Sequence, residues 1–170
     1  MNPVTLRVTE IETPAGAIVF ARRGNRICAL AFADHWAGLR NETAARFENV
    51  SWERDAGGGA PGRALRRYFR GNVTALDGLE VDTAGTPFQE KVWAALRRIP
   101  AGKTISYRDL ARAIGSPSAV RAVAGANARN PVSIVVPCHR VITSDGALSG
   151  YGGGIARKRW LLVHEGAWPA

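Results

Sequence analysis

Residues 107–126 read Tyr-Arg-Asp-Leu-Ala-Arg-Ala-Ile-Gly-Ser-Pro-Ser-Ala-Val-Arg-Ala-Val-Ala-Gly-Ala. Leu110, Ala111 and Ile114 recur on one side of a short helix from Tyr107 to Ile114, and Gly115 stops it. Ser116 is a capping residue and Pro117 suits a first helical position, so a further helix is expected from there to about Ala126. Two short helices joined by a glycine-containing turn read as a helix-turn-helix, whose second helix faces DNA. That second helix is rich in Ala and Gly with Arg121 in its middle. Small residues let a helix approach another surface closely, whether a core or a ligand.

Upstream, Thr86-Pro87-Phe88-Gln89 starts a helix, with Thr86 as N-cap and Gln89 closing a capping box. Phe88, Val92, Ala95, Leu96 and Ile99 share its apolar face. Downstream, Ile134-Val135-Val136 reads as a short buried strand delivering Pro137-Cys138-His139-Arg140. A glycine-rich stretch, Gly146 to Gly154, surrounds Tyr151 and lacks the phosphate-loop pattern. A last helix runs from Arg157 to Glu165.

The first half alternates like strands at 5–11, 17–21 and 27–32, with a hairpin-type turn at Gly24-Asn25. Residues 33–59 have no clear period, and Pro61 opens a helix closed by Gly71. The expectation is therefore an α+β chain. A small N-terminal strand-and-helix domain spans 1–77, a linker 78–85, and a mostly helical domain with a helix-turn-helix 86–170.

The 170 residues carry a formal charge of +9, and its distribution is uneven. Residues 1–85 hold 11 arginines against 10 carboxylates, a net of +1. Residues 86–170 hold 12 basic against 4 acidic side chains, a net of +8. Such asymmetry points to a nucleic-acid partner for the second half. No apolar run approaches the ~20 residues of a membrane span, and no signal-peptide core is present, so a cytoplasmic location is expected. Two cysteines far apart form neither a disulfide framework nor a CxxC metal pair, and Cys28 with His35 cannot complete a zinc site.

Cys138 is the candidate nucleophile. A thiol attacks as thiolate, and an imidazole or cations nearby favour that form. His139 and Arg140 follow it directly. On an extended chain neighbours face opposite ways, so a bridging water is expected to carry the proton. The imidazole then needs an orienting carboxylate, and Glu165 is available if the last helix folds back. Cys28, inside a strand pattern without a base, reads as structural.

Asn130-Pro131-Val132-Ser133-Ile134-Val135-Val136-Pro137-Cys138-His139-Arg140-Val141 resembles the active-site signature of the O6-alkylguanine-DNA alkyltransferases. Gly85 to Gln89 with Val92-Trp93, Ile105-Ser106-Tyr107, Arg121-Ala122-Val123, Gly150-Tyr151, Trp160-Leu161-Leu162 and His164-Glu165-Gly166 resemble further family blocks at family spacing. The resemblance is strong over residues 85–166. It implies an RNase H-like N-terminal domain and direct-reversal DNA repair, in which an alkyl group passes irreversibly from O6-alkylguanine, with O4-alkylthymine as a second candidate lesion, to Cys138 in a single turnover.

Laid on these residues, the resemblance implies that His139 takes the thiol proton, Glu165 orients His139, Tyr107 hydrogen-bonds the flipped base, and Asn130 ties down the turn before the cysteine. Arg121 would fill the place of the extruded base, with Ser118, Ala122, Asn127 and Tyr107 as further DNA contacts in the minor groove. Ser149, Tyr151, Gly152, Gly153 and Val141 would wall the base pocket. The implied partner is double-stranded DNA, met by a nucleoid-associated monomer that is free to load cooperatively; no cofactor, metal or membrane is implied. Ala124 and Ala128 stand where many relatives have glycine, and Asn127 where some carry a bulkier apolar residue. Two other classes remain: a Cys-His-Glu hydrolase, which leaves the basic half unexplained, and a non-enzymatic lesion sensor, in which the nucleophile is replaced.

Overall fold

The computed structural model describes residues 2–170. The chain divides into two compact units, Met1–Ala84 and Gly85–Ala170.

The first unit is a mixed sheet with helices. β1 (Val4–Ile11), β2 (Ile18–Arg23) and β3 (Arg26–Phe32) form an antiparallel meander, turning at Gly24-Asn25 as the sequence predicts. A 3-10 turn leads into α1 (Trp36–Phe47), which returns the chain to β4 (Val50–Arg54), parallel to β1. After α2 (Gly59–Phe69), β5 (Glu80–Val81) pairs parallel with β3, giving the order β4-β1-β2-β3-β5. Trp36, Leu39 and Phe47 of α1 pack on Leu6, Ala21 and Ala29. Thr9 and Phe20, paired on the opposite face, meet Gly58 at the start of α2.

Residues 33–59 had no legible period for a physical reason. α1 has one fully buried residue, Thr43, and no side-chain cap, so its sequence carries little amphipathic signal. Within residues 78–85, read as a linker, 80–83 are strapped to this unit, while Gly85 opens the second. Glu80 and Val81 pair with β3, the Asp82 amide donates to Ile27, and Arg46 donates to the Thr83 carbonyl at 2.6 Å.

The second unit opens with α3 (Pro87–Arg97), which has the full capping box of Thr86 and Gln89. β6 (Ile105–Ser106) leads into α4 (Tyr107–Ala113), capped by the Ser106 hydroxyl, which accepts from the Asp109 amide at 3.0 Å. α5 runs from Val120 to Ala128. It begins three residues later than the Pro117 start expected, because Ser116–Ala119 closes as a turn, with the Ala119 amide donating to the Ser116 carbonyl at 2.9 Å. The Trp93 indole donates to the Ala126 carbonyl at 2.8 Å and ties α3 to α5. β7 (Val141–Ile142) pairs parallel with β6, and α6 (Ile155–His164) ends the unit.

Ile134-Val135-Val136 is not a strand. The segment is a tight buried turn in which the Val136 amide donates to Val132 and the Val135 amide to Ser133. Ile134 sits at φ 74°, a strained value for a β-branched residue. Asn130 staples this turn: its side-chain amide donates to the Val136 carbonyl at 2.7 Å, and its side-chain oxygen accepts from the Val132 amide at 2.9 Å. Hydrophobicity marks the segment as buried, but its hydrogen bonds are made within the turn and by the Asn130 side chain rather than in a sheet.

Gly85 leaves no room for a methyl group. A Cβ there would overlap Cζ3 of the buried Trp93 ring and stand 2.8 Å from Cη2. Gly85→Ala is expected to displace Trp93 and to destabilise the second unit by roughly 1–3 kcal/mol, read by chemical denaturation followed through tryptophan fluorescence. An unchanged midpoint would mean that the ring moves aside without cost.

Candidate active site

Cys138, His139 and Arg140 occupy one turn of 3-10 helix between the Asn130-stapled turn and β7. All three are buried. The turn replaces the extended geometry expected from the sequence.

Glu165 follows α6 as its C-cap and is 6% exposed. Two side chains hold it. His139 Nε2 lies 3.0 Å from Glu165 Oε2. Arg140 meets the same carboxylate with both arms, Nε on Oε1 and Nη2 on Oε2, each at 2.9 Å. Its remaining arm donates to the Ile99 carbonyl at 2.6 Å, which fixes the guanidinium. A carboxylate at the C-terminal end of a helix is disfavoured by the helix dipole. Here burial would also raise its pKa, yet the Arg140 charge and the hydrogen bonds of His139 and Arg140 win and hold it well below the usual carboxylate range.

Burial lowers the His139 pKa and outweighs the pull of Glu165, so the imidazole is neutral at pH 7. An ionised carboxylate accepts only, so Nε2 carries the imidazole proton. The other nitrogen, Nδ1, is enclosed and has no protein partner, which leaves a free lone pair.

Cys138 is 7% exposed, and burial raises its thiol pKa against the opposing effects of Asn130 and the Lys158 charge. Nearby cations favour the thiolate, and Lys158 supplies that pull, but burial outweighs it; Arg140 is committed to Glu165, and the resting group is a thiol that needs a base.

Lys158 is the middle one of three consecutive basic residues, Arg157-Lys158-Arg159, which by sequence look like a solvated helix face. It is fully buried, and its ammonium donates to the Val141 carbonyl at 2.6 Å and to the Ser149 carbonyl at 2.7 Å. Burial lowers its pKa to about 8, against the pull of Cys138. The lysine clips the glycine-rich loop at Ser149 to β7 just after the cysteine turn. Its spacing, three and four residues before the buried Leu161 and Leu162, puts it on their face of the helix, a signal that the flanking Arg157 and Arg159 mask.

Tyr107 opens α4 half-buried; burial and the Cys138 charge raise its pKa. The β6–β7 pairing sets its distance from the cysteine, since Ile105 partners Val141 and Ser106 partners Ile142. Tyr151 packs edge-on to His139, centroids 6.5 Å apart, with its hydroxyl enclosed and unpartnered. Gly152 is exposed and Gly153 half-buried in the same loop. Arg121, Ala122 and Ser118 lie exposed at and before the first turn of α5. Asn127, expected among the DNA contacts, is buried beside Tyr107.

Both members of the His139–Glu165 pair make stability depend on pH in the same direction. The unfolded chain protonates its histidine below about the ordinary 6.5 while the folded His139 stays neutral, so stability falls as pH drops through that value. The unfolded Glu165 takes a proton below about 4.5 while the folded one stays ionised, so a second loss follows. Glu165→Gln is expected to remove the lower loss and, by leaving Arg140 buried without a counter-charge, to cost roughly 3–5 kcal/mol at neutral pH. Thermal melts from pH 4 to 8 on both proteins check this; parallel curves would contradict it.

Residues 87–167 match a family model described as 6-O-methylguanine DNA methyltransferase, DNA binding domain. A methylated-DNA–protein-cysteine methyltransferase of Salmonella typhimurium is 43% identical over 166 residues, covering 95% of this chain and 97% of the relative. One of Mycobacterium tuberculosis is 44% identical over 157 residues, covering 91% and 89%. Among solved structures, the O6-methylguanine methyltransferase of Mycobacterium tuberculosis superposes with a TM-score of 0.79 at 38% identity, covering 97% of this chain and 96% of that one. The OGT of the same organism in complex with DNA gives 0.81 at 40% identity, covering 94% and 92%. On this similarity along nearly its whole length, the chain belongs to the methylated-DNA–protein-cysteine methyltransferase family.

Proposed function

We propose that this protein repairs alkylated DNA by direct transfer, taking the alkyl group of O6-alkylguanine onto Cys138 once and irreversibly. The observation that carries this reading is the buried thiol in the same 3-10 turn as a neutral imidazole whose Nε2 is bound to Glu165 and whose Nδ1 is free. O4-alkylthymine is a second candidate lesion.

The chemistry balances without a cofactor. His139 Nδ1 accepts the Cys138 proton through a bridging water, and Glu165 compensates the imidazolium formed. The thiolate sulfur forms a bond to the alkyl carbon as the carbon–O6 bond breaks, and that electron pair goes to the base. Tyr107 donates a hydrogen bond to the base, which leaves as neutral guanine by taking back, through water, the proton that His139 removed from Cys138. Asn130 acts by holding the turn before Cys138.

The O6 substituent inside a duplex is out of reach, so the base must leave the stack. We read α4, its turn and α5 as a helix-turn-helix set in the minor groove, with exposed Arg121 filling the gap and Ser118 and Ala122 against the backbone. Val141 and the Ser149–Gly153 loop, with Tyr151, wall the pocket, and Lys158 anchors both sides of that wall. Residues 86–170 are the unit that binds DNA and carries transfer, as a nucleoid-associated cytoplasmic monomer. Residues 1–77 are read as RNase H-like, which the β1–β2–β3 meander with β4 parallel to β1 supports. Among the described residues no helix is long and apolar enough to cross a membrane.

The hydrolase reading requires turnover. A single adduct of about 14 Da, a methyl in place of hydrogen, is expected on the Cys138 peptide after incubation with O6-methylguanine duplex, reached at one equivalent. Cys138→Ala is expected to abolish transfer and to retain duplex binding. Alkyl removal by that variant, or multiple turnovers by the wild type, would contradict the mechanism. Arg121→Ala is expected to slow transfer from duplex DNA by at least tenfold while leaving reaction with free O6-alkylguanine base within twofold, since a free base needs no extrusion, about 1.4 kcal/mol per tenfold. Equal slowing of both would contradict the flipping role.

A further inference from the structure

The +1 of the first half is an average over an uneven arrangement. Between Asp55 and Asp77 the chain holds four arginines and no carboxylate, while the rest of residues 1–85 hold 7 arginines against 10 carboxylates. All four lie on α2 or directly after it: Arg63, Arg66, Arg67 and Arg70. Spacings of three and four residues line them along one side of the helix. The other side, with Pro61, Ala64, Leu65 and Tyr68, is buried in the unit.

Arg66 is turned back onto the loop before α2, donating to the Gly57 carbonyl at 2.8 Å and to the Ala56 carbonyl at 3.4 Å. Arg63, Arg67 and Arg70 are exposed, and among the described residues no ion pair or side-chain hydrogen bond holds them. Helix stability does not account for the three. Like charges three and four residues apart repel. The helix dipole favours cations at the C-terminal end, which covers Arg67 and Arg70 but not Arg63, and the first turn has no carboxylate to offset it.

A row of phosphates does account for them. Arg63 to Arg70 span about 10 Å of helix axis, the rise of about three nucleotides of one DNA strand. A guanidinium presents its donors as a planar fork that fits a phosphate. An anionic membrane is the poorer match, because an interfacial helix needs a free apolar face and that of α2 is already buried. We propose that α2 is a second DNA-binding surface, on which Arg63, Arg67 and Arg70 hold the phosphate backbone of duplex DNA. From the repair reading this takes only that DNA is the polyanion at hand. It gives the first unit a part in binding that reads no base sequence and is separate from alkyl transfer.

The test is the salt dependence of lesion-free duplex binding by the full chain, followed by fluorescence anisotropy. Each neutralised phosphate adds a slope of about −0.9 on a log–log plot, so Arg63→Gln, Arg67→Gln and Arg70→Gln together are expected to flatten it by about 2.7. From about 50 to about 200 mM salt, the wild type then loses about 40-fold more affinity than this variant. Arg63→Lys, Arg67→Lys and Arg70→Lys together keep the charge and are expected to keep the slope. Arg7→Gln, Arg26→Gln and Arg40→Gln together remove three other exposed arginines of the same unit and are expected to flatten it by less than about 1. A wild-type slope in the α2 glutamine variant overturns the proposal. So does equal flattening by both glutamine triples, which reduces the effect to net charge. Loss of binding to phosphatidylserine vesicles with duplex binding unchanged also overturns it, and makes the face a lipid contact. Methyl transfer at saturating duplex is expected to stay within about twofold of wild type in the α2 variant; a larger loss contradicts the separation of binding from transfer. If the slope flattens while Cys138 is never methylated, the alkyl-transfer reading fails and the α2 surface stands.

Discussion

The buried carboxylate of Glu165 is the constraint around which the second unit is arranged. It has been taken out of water at the end of a helix, where the backbone dipole disfavours it. It is tolerated because Arg140 meets it with two arms and His139 with one nitrogen. Buried ion pairs add little net stability against an apolar replacement, so stability alone does not explain the arrangement. What the arrangement achieves is orientation. The imidazole has its proton committed to Glu165, and its free lone pair is enclosed with Tyr151 against the ring. Arg140, locked to Glu165 and to Ile99, ties the cysteine turn to the end of α3 and to α6.

The rest of the site follows from fixing that turn. β7 leaves it immediately and pairs with β6, which starts α4 at Tyr107. Lys158 joins β7 to the glycine-rich loop. The Asn130 staple holds the entry to the turn, with Ile134 forced to φ 74° beside it. A thiol buried this way is raised in pKa, so it is kept unreactive until a base and a substrate are both in place. The +8 charge of the second half is better understood as a surface for DNA than as a field that ionises the cysteine.

Much of this was legible in residues 85–166. The Thr86–Gln89 capping box, α4 and, in the first half, the hairpin at Gly24-Asn25 have local signatures, either short-range capping chemistry or a period of two or 3.6, whereas the Cys138–His139–Glu165 set was expected from its residue types and from the family resemblance. The misses have a common cause. The Ile134–Val136 turn, the later start of α5 and the two-residue strands β6 and β7 are set by hydrogen bonds between residues whose partners the chain order does not reveal. Lys158 was invisible because three consecutive basic residues look like a solvated face. Only the fold shows that the middle one turns inward. α1 left no period because it buries a single residue completely.

The account turns on the protonation of one imidazole. Nitrogen-15 NMR of the histidine side chains at pH 7 reads it directly. For His139 the account predicts a neutral ring with the proton on Nε2 and a bare Nδ1, unchanged until the pH falls below the ordinary histidine value of 6.5. A proton on Nδ1, or a doubly protonated ring at neutral pH, would contradict it, because His139 would then have no lone pair for the thiol.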